Sequence, residues 1–322
     1  MVTMLTTMAL SLWWDEGMTG APNHLLSRQH LAQLNVLLDR PGWVRLLSHL
    51  ATIVVGGVMW RLDIFPTWLR LLGLVLSGVA LATCFAGLHE CCHRTAFRSK
   101  RLNDGVAWLM GVLSFYNATF YRRYHQWHHR YTHQPGLDPE LEDPVPTTLW
   151  AYVLEISGWH WWTGKARGYA RLLWGDLSSL PYLSPEVIPQ VRRSVRLQFA
   201  LYVGLAAGSL IAGNGLLLWS WLLPLAVGQP FLRMLLLAEH TGCDYSADGL
   251  ANTRTTLTFA PVRWLMWNMP FHAEHHLYPS MPFHALPAAH RWIAPHLKHL
   301  DRGYLAVHAG LLPRLAQLGQ PT

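Results

Sequence analysis

Residues 66–93, PTWLRLLGLVLSGVALATCFAGLHECCH, combine a long apolar run with two histidines. The apolar part, 66–88, is long enough to cross a bilayer, since a spanning helix needs about 20 apolar residues. The run leads directly into His89 and His93, which share a helical face because they lie one turn apart. A spanning helix that ends in paired imidazoles predicts a membrane protein with a metal site near one membrane surface.

Three more apolar stretches occupy residues 43–62, 197–213 and 216–238. The short linker LDIFP joins the stretch 43–62 to the stretch 66–88, and the turn-forming Asn214-Gly215 joins 197–213 to 216–238. We therefore predict an all-α integral membrane protein with four transmembrane helices in two hairpins and a helical cytosolic cap that holds the histidines. Residues 106–115 and 150–162 are apolar but too short to span, so they form either interfacial helices or buried cap helices.

The composition supports a membrane protein. Hydrophobic residues make up 51% of the 322 residues and charged residues only 13%, about half the usual charged fraction. These values exclude an ordinary soluble domain and a disordered chain. The net charge of +7 and the 17 Trp favour an anionic membrane surface as partner, and we expect no nucleic-acid partner.

Basic residues predict the orientation. With four spans, the clusters near their ends all fall on one side, at Arg40, Arg45, Arg94, Arg98, Lys100, Arg101, Arg192, Arg193 and Arg196. Because positive charge is retained in the cytoplasm, we expect both termini and the active site on the cytoplasmic face. The chain then forms one domain, with an N-terminal cytosolic or interfacial segment (1–42), a core (43–290) and a C-terminal cytosolic helical tail (291–322).

Three histidine motifs stand out among the 19 His. They are His89-Glu-Cys-Cys-His93, His125-Gln-Trp-His128-His129 and His272-Ala-Glu-His275-His276. On helices, each spacing clusters the imidazoles on one face, and all three motifs fall on the predicted cytoplasmic side. The other histidines lack partners at ligand spacing, and we interpret them as surface, helix-end or interfacial residues.

These imidazoles predict two metal ions. Eight clustered histidines exceed the four ligands of one structural zinc. Nitrogen-bound iron can activate O₂, whereas zinc has no redox chemistry. Nearby carboxylates are expected to orient the rings, and the candidates beside or after the ligands are Glu90, Asp138, Glu239 and Glu274.

Two other kinds of protein fit part of the pattern. His89-Glu90-x-x-His93 also matches the HExxH motif of membrane zinc metalloproteases, but that interpretation leaves both HxxHH motifs unexplained. A His-rich metal transporter places its ligands near the bilayer midplane, whereas these histidines follow the ends of the spans. Metal content distinguishes the three classes: an O₂-activating enzyme would hold two irons, a protease one zinc, and a transporter an exchangeable metal.

The chain resembles the membrane fatty acid desaturase and hydroxylase superfamily. The three histidine motifs, their order and their place relative to paired spans match, as do HAEHHLYPSMPFHALP (272–287), AEHTGC (238–243) and NTRTT (252–256). The resemblance implies a histidine-bound di-iron centre, O₂ as co-substrate, a lipid or acyl-carrier substrate, and electrons from a separate ferredoxin or cytochrome b5-like donor. No His-Pro-Gly-Gly motif occurs in the sequence, so we expect no fused haem or flavin domain.

The same resemblance points to a ninth ligand near the end of the fourth span. Relatives supply a further ligand from this region, where the sequence has His240; Leu236 stands where some relatives carry a water-bridged Asn. His133 competes, since it lies four residues after His129, but Gln134-Pro135 follows and disfavours a continuing helix. We predict His240 as ligand and His133 as a residue that supports the ligands.

The reaction within the superfamily stays open at this point. Desaturation and hydroxylation or ketolation, as in carotenoid-modifying relatives, all begin with hydrogen abstraction from an unactivated C–H bond. The spacing of the first motif, HxxxH rather than HxxxxH, argues against the acyl-CoA Δ9 subtype. We favour insertion of a double bond into a lipid- or carrier-linked fatty acyl chain.

Overall fold

The computed structural model of the chain describes residues 25–143 and 145–318, and these fold almost entirely into helices. In this part of the chain, two short parallel strands, β1 (Thr255–Leu257) and β2 (Leu300–Arg302), pair with Thr255 opposite Leu300. The predictions for the N-terminal segment and the C-terminal tail lie partly outside the described residues, at 1–24 and 319–322.

The described helices follow one another closely along the chain. In order they are α1 (Arg28–Leu34), α2 (Asp39–Arg61), α3 (Thr67–His93), α4 (Lys100–Leu113), α5 (Ala118–Tyr131), α6 (Leu149–Ile156), α7 (Trp159–Trp174), α8 (Ile188–Ile211), α9 (Leu223–His240), α10 (Ala260–Leu265), α11 (His272–Leu277), α12 (Leu286–Ile293) and α13 (Tyr304–Leu311). A π-helical turn, Leu218–Leu222, precedes α9, and 3₁₀ turns cover Pro139–Glu142, Ala294–His296 and Leu312–Gln317.

Four of these helices are long and apolar enough to cross a membrane. They are α2, α3, α8 and the continuous segment Leu218–His240, which confirms the four predicted spans. The helix ends differ from the ends of the apolar runs: α8 begins at Ile188, well before 197, and α3 continues to His93. Arg and similar side chains end an apolar run but are good helix formers, so hydropathy marks the lipid boundary and not the helix end.

The second spanning helix, α3, lies at the centre of the molecule. In the most apolar part of α3, 72% of the residues are buried inside the protein, whereas in the most apolar part of α8 only 11% are buried. Gly78 of α3 faces the backbone of α9, where an added Cβ would collide with the carbonyl of Pro224. On the other side, Gly56 of α2 lies close to the backbone of Ser77. Small residues allow such close approach, and the packing fixes the end of α3 that carries His89 and His93.

The two shorter apolar stretches fold differently from each other. Residues 106–115 lie mostly in α4. This helix buries Met110 on one side and exposes Trp108 on another, so it is partly buried and partly open to the surroundings. Residues 150–162 form α6 and the start of α7. No α6 residue is buried, and Trp150 and Trp159 are exposed, a pattern typical of a membrane interface.

Candidate metal centre

Helix α5 presents the second histidine motif. Its first residue follows Asn117, whose side chain accepts a hydrogen bond from the Phe120 amide (3.0 Å) and donates one to Gln198 of α8 (2.8 Å). This cap fixes where the helix starts, and with it the face that carries His125, His128 and His129. The helix ends at Tyr131.

The short helix α11 presents the third motif. The preceding residues Trp267 and Asn268 have positive φ angles of 50° and 61°, and they reverse the chain so that α11 faces α3 and α5. The Asn268 side-chain amide holds this turn by donating to the carbonyl of Phe283 at 2.9 Å. His272 and His275 are buried, and His276 is half-buried.

Five histidines from these three helices form the first group. Their candidate ligand atoms lie within 4.8 Å of one another, and the members are His89, His93, His125, His129 and His275. Within this five-histidine group, Nε2 of His129 lies 2.9 Å from Nε2 of His125 and 3.1 Å from Nε2 of His275. Nitrogens about 3 Å apart suit adjacent ligands of one metal at bonds of about 2.1 Å.

Four histidines form the second group beside the first. His128, His240 and His276 converge within 4.8 Å, and His272 joins them, with its Nε2 3.1 Å from Nε2 of both His240 and His276. The structure thus places His240 inside this four-histidine group, together with members of the second and third motifs.

Three rings of the four-histidine group are held through their outer nitrogen, Nδ1. The partners are Asp138 for His128 (2.9 Å), the carbonyl of Asn252 for His240 (3.2 Å) and Thr132 Oγ1 for His276 (3.0 Å). Each of these bonds favours a proton on Nδ1, so in the neutral ring the lone pair of Nε2 is directed at the other members of the group. As neutral rings, these histidines have the donor set and tautomers that a metal ion requires.

Two carboxylates also reach the four-histidine group. Glu140 Oε2 lies 3.6 Å from Nε2 of His128, and Glu239 Oε2 lies 3.4 Å from Nε2 of His272. These are the nitrogens that face the centre of the group. The other oxygen of Glu239 is buried and has no hydrogen-bond partner among the described residues. Either carboxylate is therefore positioned to add an oxygen ligand.

Burial and neighbouring charge set the protonation of the rings. Burial, followed by the charges of neighbouring histidines, lowers the pKa of His125, His129 and His275 well below the usual value, so these rings are neutral at neutral pH. Neutral imidazole is the form that binds metal. Burial also opposes protonation of His128, but Glu140 and Asp138 outweigh it and raise the pKa of His128 to about 9.

Two of the predicted supporting carboxylates contact other groups. Glu90 accepts from Thr95 Oγ1 at 2.6 Å and from the Phe283 amide at 3.1 Å, and Glu274 binds Thr255 and His290. Successive residues of a helix point about 100° apart, and Glu90 and Glu274 lie on sides of their helices that face away from the two histidine groups. These carboxylates fix α3 and α11 to the surrounding chain rather than orienting one of the nine rings.

His133 lies outside both groups. The helix has already ended, and His133 has a φ of 58°. Its Nδ1 is 2.8 Å from the carbonyl oxygen of Asp244, its ring stacks on Tyr245, and its amide donates to Asp138 at 2.6 Å. Through Asp138, it is connected to the ring of His128.

Some residues of the site were not predicted from the sequence. Thr132 lies four residues after His128, a spacing that offered a signal, whereas Asn252 meets His240 only through the fold. His290 and His308, which we interpreted as surface or helix-end residues, are largely buried: His290 binds Glu274, and His308 binds Tyr152 and the carbonyl of Met234.

Comparison with known proteins identifies the family. The sequence model of the fatty acid desaturase family matches residues 66–308, which include all nine histidines. The chain is a member of the fatty acid desaturase family. Membership makes it an oxidoreductase of lipid metabolism, a fatty acyl desaturase or a related oxidase.

Individual desaturases are similar over most of their length. The sphingolipid delta(4)-desaturase/C4-monooxygenase DES2 of Rattus norvegicus is 30% identical over 78% of this chain and 71% of its own. The sn-1 oleoyl-lipid 12-desaturase of Synechocystis is 25% identical over 77% and 74%, and the chloroplastic omega-6 fatty acid desaturase of Glycine max is 23% identical over 79% and 62%. With four helices able to span a bilayer, this member of the family is an integral membrane protein, and its histidine groups suit the iron that the family generally uses.

Proposed function

We propose that this protein is an O₂-dependent di-iron desaturase that inserts a double bond into a lipid- or carrier-linked fatty acyl chain. The observation that supports it most strongly is the pair of adjacent histidine groups at the ends of α3 and α9. The reaction –CH₂–CH₂– + O₂ + 2e⁻ + 2H⁺ → –CH=CH– + 2H₂O balances with electrons from a separate ferredoxin or cytochrome b5-like donor. No nucleic acid takes part.

The nine histidines would hold the two metals, with Asp138, Asn252 and Thr132 orienting the second group and Glu140 and Glu239 beside it. When bound, the irons would supply the activation of O₂ that hydrogen abstraction from an unactivated C–H bond requires. The protein orients the rings, keeps the first group neutral and excludes bulk water, since His89, His125 and His275 are each at most 3% exposed. His133 supports His128 through Asp138.

The proposed topology is one domain with two membrane hairpins and a cytosolic cap. Lys100, Arg101, Arg193 and Arg196 carry positive charge near the proposed cytoplasmic ends of α3 and α8, as expected of cytoplasmic flanks. Both termini and the active site would then face the cytoplasm, where a soluble electron donor has access.

A second candidate function is hydroxylation of the same substrate class. It is favoured by the similarity to DES2, whose name covers a desaturase and a C4-monooxygenase. After the first hydrogen abstraction, a second abstraction gives the alkene, whereas oxygen transfer gives the alcohol. Placement of the substrate within a fraction of an ångström decides between these outcomes. A carotenoid hydroxylase or ketolase would use the same chemistry.

The metalloprotease and transporter alternatives lose support. A protease of the HExxH type needs the glutamate as general base beside its zinc, but Glu90 is bound to Thr95 and the Phe283 amide. A transporter would need ligands at mid-membrane, whereas the groups here lie at the ends of α3 and α9.

Expression in a host of known lipid composition tests the proposal. Mass spectrometry of the acyl lipids and isoprenoids should reveal a species that lacks two hydrogens, absent when His129→Ala is expressed at equal level. A product that gains one oxygen instead would assign hydroxylation. Unchanged lipids, despite full iron content and a supplied electron donor, would contradict both functions.

A further inference from the structure

A polar face lies in the middle of the apolar helix α9. Gln229 and Arg233 are four residues apart and therefore share one side of the helix. Gln229 is fully buried, and both of its amide atoms lack a hydrogen-bond partner among the described residues, as does the buried Nε of Arg233. Ionisable and polar groups of spanning helices are costly and usually mark a functional site.

Helix α7 places a second cation against this face. Gly158, just before α7, packs on Gln229 so closely that an added Cβ would lie 2.9 Å from the Gln229 Cβ. Two turns further, Lys165 lies with its Nζ 3.1 Å from the ring centroid of Tyr116. The Tyr116 hydroxyl accepts from Trp161 Nε1 at 3.0 Å and from Arg233 at 3.4 Å. The two cations thus meet around one aromatic ring.

These two cations have no carboxylate partner among the described residues. The Arg and Lys ion pairs of this part of the chain involve Arg70, Arg94, Arg122, Arg254 and Lys298. Burial lowers the pKa of Lys165 well below its usual value, and the charge of Arg233 lowers it further, against the opposing effect of Asp143. Glu140 and Glu239 lie near Arg233, but no carboxylate of the described residues forms an ion pair with Arg233 or Lys165. Within the same part of the chain, the Gln229 amide and Nε of Arg233 thus remain without hydrogen-bond partners.

The polar face lies close to the metal groups. Arg233 precedes His240 by two turns of α9, or about 10 Å along the axis. The Tyr116 ring lies 4.8 Å from that of Phe85, which in turn lies 6.1 Å from the ring of His89. A molecule bound at Arg233 and Tyr116 would be one aromatic ring away from the five-histidine group.

We propose that Gln229, Arg233 and Lys165 bind an anionic head group of the lipid substrate, a carboxylate or a phosphate, with Tyr116 beneath it. Nε of Arg233 is unpartnered among the described residues and Nη2 makes only a long hydrogen bond to Tyr116, so the two can give the side-on pair of donors that such oxyanions accept. The Gln229 side-chain NH₂ offers a further donor, and its side-chain carbonyl can accept a hydrogen bond from a hydroxyl or N–H of the same head group. Bound here, the head group positions the first part of the acyl chain beside the metals. This inference rests on the proposed function but concerns binding, which needs no turnover.

Amphiphile binding to the purified full-length protein tests the assignment. The anionic probes are palmitate and hexadecyl phosphate, the neutral probes are hexadecanol and N-palmitoylethanolamine, and inorganic phosphate is the competitor. We expect the anionic probes to bind about tenfold or more tightly than the neutral ones, as for a charge-assisted hydrogen bond. Millimolar inorganic phosphate that displaces palmitate completely would indicate a free-anion site and overturn the lipid assignment.

Substitutions make the test specific. Arg233→Gln and, on another helix, Lys165→Gln should each reduce the preference for anionic probes to about threefold or less, while Arg193→Gln at an exposed position keeps it. Equal binding of all probes, or tighter binding of N-palmitoylethanolamine, would overturn the proposal. If Arg233→Gln loses iron but keeps the preference for anionic probes, the proposal is wrong, and the charge of Arg233 instead stabilises the carboxylates beside the metal site. Loss of turnover with intact probe discrimination would count against the proposed reaction only.

Discussion

The two histidine groups of this protein lie side by side but are built differently. The five-histidine group contains imidazoles only, and the Nδ1 atoms of His89, His125 and His129 have no partner among the described residues. In the four-histidine group, three rings have Nδ1 bound, and Glu140 and Glu239 approach the inner nitrogens.

This difference shows two ways of fixing a metal ligand. The first group relies on packing, since the His125 ring stacks on Tyr121 at 5.0 Å and lies 4.3 Å from the ring of His89. The second group relies on hydrogen bonds and has two carboxyl groups beside it. We therefore expect the two metals to differ in ligand set and in sensitivity to substitutions around them.

Removal of one ligand from each group has the largest expected effect. His93→Ala should empty the five-histidine group and His240→Ala the four-histidine group, so each variant retains about one iron and loses activity by more than about 100-fold. Metal analysis of the purified variants and product formation in cells check this.

His133→Ala is the matched control, because His133 lies outside both groups. It should retain both irons and lose little activity. If His133→Ala loses iron while His240→Ala keeps it, the ninth ligand has been assigned to the wrong residue.

Loss of the carboxylate that orients His128 should affect one group only. Asp138→Asn replaces the charged acceptor of His128 Nδ1, and such changes beside a ligand typically weaken metal affinity by about 10–100-fold. Chelator titration should show one iron released more easily and the other unchanged. Equal weakening of both irons would mean that the groups behave as one unit.

The carboxylate at the end of α9 gives a smaller effect. Glu239→Gln keeps the shape but replaces the carboxyl group whose Oε2 lies 3.4 Å from His272 Nε2. We expect about tenfold weaker binding of the second iron and a changed Mössbauer signal for that iron alone. An unchanged spectrum would show that Glu239 does not reach the metal.

Packing around the five-histidine group has the smallest expected effect. Tyr121→Leu removes the ring stacked on His125; such a stack contributes about 0.5–1.5 kcal/mol. Iron affinity of the first group should fall about threefold. Tyr121→Phe retains the ring and should match the unmodified protein, so a loss in both variants would assign the role to the hydroxyl.

The sequence predicted the four spans because apolar length alone determines them, and it predicted the helical spacing of the three histidine motifs. The supporting residues were harder to predict. Glu90 and Glu274 adjoin ligands but point elsewhere, since helical neighbours diverge by about 100°. Asn252 and Arg233 acquire their roles only through contacts between distant segments. Such contacts leave no periodic signal in a single sequence.

We propose that the nine histidines hold two metal ions in two separate groups, and metal analysis of the purified full-length protein can decide this. We expect two iron atoms per chain, since each group offers several imidazole nitrogens. A single, tightly held zinc per chain would contradict it.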